Sequence, residues 1–214
     1  MMKSTQHLVN LQPRVLVLAL FSAALLAGCS ATTKPKRQSA NIEIQEAVGF
    51  TITEEVKVPE SVRLQYYEAL RHLRDENLQR GIAVLEQVAE AAPNVTAPKI
   101  DLGVAHHRLG NFDTAEEYLL QALDLNSGHP VALNELGIVY RKTGRFKEAK
   151  RQYEAAIAVY PGYHHARRNL AILCDLYLGD FNCALNQYEA YMATVPEDPE
   201  AEMWMTDLRN RMAR

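Results

Sequence analysis

From Val62 onward the chain repeats itself every 34 residues, and no other feature constrains its fold as strongly. With Gly137 set as the eighth position of a unit, units begin at Val62, Thr96, Pro130 and His164 and span 62–95, 96–129, 130–163 and 164–198. The fourth accommodates one extra residue before Gly179. Leu78, Phe112, Phe146 and Phe181 fall in one column, at the expected start of the second half of each unit. Gly110, Gly144 and Gly179 stand just before that column, where a turn needs backbone conformations that a Cβ penalises. Pro93, Pro161 and Pro196 end the second half, because proline cannot continue a helix. A unit of this size cannot bury its own apolar face, so units stack and share a core. The expected fold is all-α: a solenoid of antiparallel helix hairpins. Residues 199–214 are expected to add a capping helix, with Ala201, Trp204, Leu208 and Met212 inward and Glu202, Asp207, Arg209 and Arg211 on its solvated side.

The third unit carries Leu133, Leu136, Gly137, Tyr140, Gly144, Ala149, Tyr153, Ala156 and Pro161 at signature places, and it resembles the tetratricopeptide repeat (TPR). The second has Leu102, Gly103, Gly110, Ala115, Leu119 and Ala122, with His106 where the pattern has tyrosine. The first is degenerate, and the fourth keeps Leu170, Ala171, Ala184, Tyr188 and Pro196. The resemblance covers residues 62–198. It implies a concave groove lined by the first helix of each unit. Here that groove would comprise Tyr66, Tyr67 and Leu70 from the first unit, then Val104, His107 and Arg108 from the second. The third would give Asn134, Ile138 and Arg141, and the fourth Arg168, Asn169 and Ile172. An apolar floor with tyrosines and basic edges suits an extended or helical peptide. Cations near helix C-termini also suit the helix dipole without any ligand. The carboxylate clamp of chaperone-tail readers in this family is absent: Tyr66, Leu70, Asp101, Val131 and Glu135 stand at its places, and the two acids would repel a carboxylate.

The N-terminus reads as a targeting segment. Lys3 and Arg14 precede an unbroken run from Val15 to Ala27 that is mostly apolar, too short for a comfortable membrane span of roughly 20 residues. Leu26-Ala27-Gly28-Cys29 resembles the bacterial lipobox, which implies removal of residues 1–28 and acylation of Cys29. Each buried methylene contributes about 0.8 kcal/mol, so several acyl chains anchor a protein durably. Ser30 follows the cysteine, and by resemblance it favours the outer membrane over the inner. Residues 29–60 are expected to form a polar tether and then an extended segment, since Phe50, Ile52, Val56 and Val58 share one parity.

Chemistry-bearing residues are few. The chain has three cysteines. With Cys29 acylated, Cys174 and Cys183 remain, late in the first helix and early in the second helix of unit four. Antiparallel packing brings such positions together, and an exported compartment permits oxidation; a disulfide and a pair of small buried thiols are both compatible with the spacing. His106-His107 and His164-His165 are adjacent pairs whose side chains diverge by about 100° on a helix, so no metal site is expected. No catalytic motif, cofactor or small-molecule substrate is indicated, and a formal charge of -3 gives no basic footprint for nucleic acid.

The expected function is that of an outer-membrane-anchored periplasmic scaffold or adaptor binding protein partners in an envelope assembly. It resembles lipoproteins of this repeat class that accompany TonB-type energy transduction, and also pilotins of type IV pili, although those usually carry about six repeats. A self-associating structural envelope lipoprotein is the competing class.

Overall fold

A computed structural model describes residues 41–45, 49–53 and 56–214. The expected signal peptide, Cys29 and most of the tether lie outside the described residues. Asn41–Gln45 (β1) and Gly49–Thr53 (β2) pair antiparallel, with Ile42 opposite Ile52 and Ile44 opposite Phe50. The extended segment expected around Phe50 and Ile52 is therefore one arm of a hairpin, and its partner strand falls where a tether was expected to give way to it. Val56 and Val58 lie beyond the ribbon, and Val58 packs against Val62, Val88 and Ala92.

Nine α-helices follow among the described residues: α1 Glu60–Arg74, α2 Leu78–Ala91, α3 Ala97–Arg108, α4 Phe112–Leu125, α5 Pro130–Lys142, α6 Phe146–Val159, α7 His164–Leu173, α8 Phe181–Met192 and α9 Pro199–Met212. Each expected unit is one hairpin, and each helix packs on the next. Leu78, Phe112, Phe146 and Phe181 are the first residues of α2, α4, α6 and α8, so the apolar column marks a helix start four times. Three helices begin on side-chain caps among the described residues: His129 Nδ1 accepts from the Ala132 N–H, Asp180 from the Cys183 N–H, and Asp198 from the N–H groups of Glu200 and Ala201.

The core rests on a facing pair of columns. Leu85, Leu119, Tyr153 and Tyr188 project from the second helices and are almost wholly buried. They meet the small column Ala69, Gly103, Gly137 and Ala171 on the first helices. A Cβ on Gly137 would stand 2.5 Å from the Tyr153 ring, and one on Gly103 2.6 Å from Leu119 Cγ, so glycine there is a packing requirement.

Each turn between paired helices uses a left-handed residue: Gly110, Gly144, Gly179 and, in the degenerate first unit, Glu76 at φ 59°. The next N–H closes the turn on a carbonyl five residues back: Asn77 to His72, Asn111 to His106 and Arg145 to Tyr140. In the fourth unit Asp180 closes on Cys174, six residues back. The extra residue is absorbed as a π-helical turn over Cys174–Leu178.

The capping helix α9 buries Ala201 and Leu208 and half-buries Trp204, as its apolar pattern requires. Two expectations for it are corrected. Met212 is 40% exposed, because it ends the helix one turn past Leu208, the last buried position. Arg211 is not on a solvated side: it reaches back to the buried Asp175 carboxylate at 2.5 Å and lies over the Phe181 ring.

Candidate functional site

The first helices α1, α3, α5 and α7 lie side by side and present the expected groove residues. A ladder of side chains runs across them, from position five of one unit to position six of the next. The Tyr66 hydroxyl donates to Asp101 Oδ2 at 2.6 Å. The Asn169 amide donates to Asn134 Oδ1 at 2.9 Å. At the end of the array Arg168 donates to Glu200 Oε2 at 2.9 Å and lies over the Trp204 ring at 4.9 Å. By the same register, the rung between the second and third units is Ile100 with Glu135, and isoleucine has nothing to donate.

The predicted residues divide into those that build this wall and those that remain open. Asn134 is buried at 2%, and its amide also donates to Glu135 Oε1 at 3.0 Å. It sets the wall of the groove and offers no contact surface. Tyr66 is half-buried with its hydroxyl committed to Asp101, and Asn169 is half-buried with its amide committed to Asn134. Arg108 leaves the groove for the first turn, donating to Glu76 and to the Leu73 carbonyl. Arg141 donates to the Tyr153 hydroxyl at 3.4 Å and approaches the Tyr177 ring. Tyr67 stays 58% exposed. Leu70, Val104, Ile138 and Ile172 are half-buried and give an apolar row along the open side. His107 rests against the Phe112 ring at 5.9 Å; burial first, then Lys142 and Arg141, hold it below the usual imidazole range.

Two carboxyl groups emerge as electrostatic features of this surface. Burial pushes Asp101 above the usual carboxylate range, partly offset by the Tyr66 hydrogen bond. Burial likewise pushes Glu135 up, partly offset by Asn134. The sequence marked both as unfit for a carboxylate clamp; it gave no sign of their desolvation, which depends on how closely the next repeat packs.

Cys174 and Cys183 are joined by a disulfide, with Cα atoms 5.9 Å apart. It ties the π turn to the first turn of α8, away from the ladder. Among the described residues no helix is long and apolar enough to cross a membrane.

Residues 96–162 match the sequence profile of the Tetratricopeptide repeat family. The fold is a tetratricopeptide-repeat solenoid. MamA from Desulfovibrio magneticus RS-1 superposes with a TM-score of 0.65 at 20% identity, over 73% of this chain and 88% of that one. The structure of Pseudomonas aeruginosa pilF superposes with a TM-score of 0.67 at 20% identity, over 72% of this chain and 70% of that one. In sequence, residues of this TPR solenoid are 28% identical over 110 positions to the protein O-mannosyl-transferase F38B6.6 of Caenorhabditis elegans. That match takes in 51% of this chain and only 14% of the worm protein, so it reports a shared repeat.

Proposed function

We propose that this protein is an outer-membrane-anchored periplasmic adaptor that holds protein partners of an envelope assembly in its concave groove and performs no catalysis itself. The observation that carries the reading is the apolar row from Tyr67 through Leu70, Val104, Ile138 and Ile172. It lies open beside a ladder of hydrogen bonds that fixes its shape in advance. A pre-formed surface loses little entropy on binding, which favours peptide capture. The lipobox at Leu26–Cys29 supports the anchor, and Ser30 supports the outer membrane.

The reading is tested with a photo-crosslinking residue at Tyr67 or Ile138 in intact cells, and at Leu120, which is 43% exposed on the second-helix side, as the control. Groove positions are expected to capture discrete envelope proteins that the Leu120 position does not. Equal or absent capture at all three sites would overturn the groove reading. Labelling with an alkynyl fatty acid is expected to depend on Cys29, and density-gradient fractions are expected to place the protein with outer-membrane porins. Migration with the inner membrane would overturn the location.

A further inference from the structure

We infer that Glu135 is the point at which the groove receives a lone basic side chain, lysine or arginine, from a partner polypeptide. The inference rests on the groove reading above and adds the chemistry of the residue recognised.

The ladder carries the inference. Its rungs join hydroxyl to carboxylate at Tyr66–Asp101, amide to amide at Asn169–Asn134, and guanidinium to carboxylate at Arg168–Glu200. Glu135 stands in the same register, but the position across from it is Ile100, whose side chain can neither donate nor accept. The donor to Glu135 among the described residues is the Asn134 amide on its own helix, to Oε1. Glu135 is half-buried, and a carboxylate with reduced access to water holds a charged donor more strongly than one in open solvent. A tyrosine at Ile100 would supply that donor internally, as Tyr66 does for Asp101. Isoleucine instead keeps the rung apolar and leaves the carboxyl group to be met from outside.

The surroundings restrict the partner further. Arg141 and Lys142 lie six and seven residues along the same helix, about 9–10 Å away at ~1.5 Å per residue. A wholly basic segment would be repelled there. The segment that fits has one basic residue and, about three residues away if extended, an acidic one.

The test selects phage-displayed random twelve-residue peptides on the full chain and measures synthetic copies by fluorescence anisotropy. Selected peptides are expected to share one lysine or arginine. Their affinity should fall about tenfold or more in Glu135→Gln, as expected for loss of a hydrogen bond to a charged group, and also in Ile100→Tyr, where the rung is filled internally. Circular dichroism melting of both variants checks that they fold. Peptides that lose binding in Tyr67→Ala yet bind Glu135→Gln normally would overturn the assignment of Glu135 and leave the groove reading intact. Peptides indifferent to Tyr67→Ala and Glu135→Gln alike, or no enrichment over a control surface, would overturn both.

Discussion

The backbone N–H of Asp180 donates to the Cys174 carbonyl at 2.9 Å, one residue further back than in the three earlier turns. That lengthened closure lets the fourth hairpin keep the packing of the others while carrying an extra residue. It also leaves Cys174, at the place of Tyr140 and His106 in their units, bonded to Cys183 across the hairpin. Reduction removes this tie from a short loop, which costs about 2.6 kcal/mol on the chain-entropy estimate. The expected result is a melting temperature lower by about 5–10 °C in a reducing agent or in Cys174→Ser/Cys183→Ser. Thiol titration of denatured, unreduced protein should find neither cysteine reactive.

Asp175 is exposed by only 5% at its side chain and is held by Arg211 from the capping helix. Arg211→Gln is expected to destabilise by about 1–3 kcal/mol, because it strands a buried charge. Asp175→Asn in the same chain should recover part of that loss. A double-mutant cycle by denaturant melts measures the coupling; strictly additive effects would mean that the cap is held by α9 packing alone.

Glu76 adopts φ 59° where the later turns have glycine. A side chain in the left-handed region costs about 1–2 kcal/mol, and glycine returns part of that gain as unfolded-state entropy. The Arg108 pair that would be lost is solvent-exposed and contributes little. Glu76→Gly is therefore expected to stabilise by about 0.5–1 kcal/mol. Gly137→Ala should do the opposite, costing about 1–3 kcal/mol by driving a methyl group into the Tyr153 ring. Urea melts of the two variants order the effects.

Glu135 has a raised folded-state pKa because burial disfavours its charge. Below the ordinary value of 4.5, folded and unfolded chains both hold the proton and there is no penalty. As pH rises from there through the raised value, the unfolded chain ionises first and stability falls. Glu135→Gln removes that dependence. Its melting temperature should match the parent near pH 4 and exceed it at pH 7.

The repeat register carried the hairpin plan, because columns such as Leu78, Phe112, Phe146 and Phe181 answer to local geometry that recurs in each unit. The π turn was legible only as an extra residue before Gly179; its form depends on which carbonyl the next N–H finds. The ladder was not legible. Tyr66 and Asp101 lie 35 residues apart, one more than the repeat, so a strict column reading never aligns them. Asn134 was read as a groove contact because position alone cannot tell a wall from a surface. Arg211 was assigned to solvent for a related reason: the acid that draws it inward sits in a turn that the repeat pattern does not contain.

The ribbon of Asn41–Gln45 on Gly49–Thr53 bears on distance as well as fold. Thirteen residues laid straight span about 43–47 Å at ~3.3–3.6 Å each. Paired as they are, Asn41 and Thr53 stand opposite one another, roughly 5 Å apart. A lone two-stranded ribbon is marginally stable in water, so its opening requires little work. With Cys29 as the proposed anchor, the ribbon is slack taken up in the leash. Opening the ribbon would lengthen that leash by about 40 Å, the difference between the straight and the paired span.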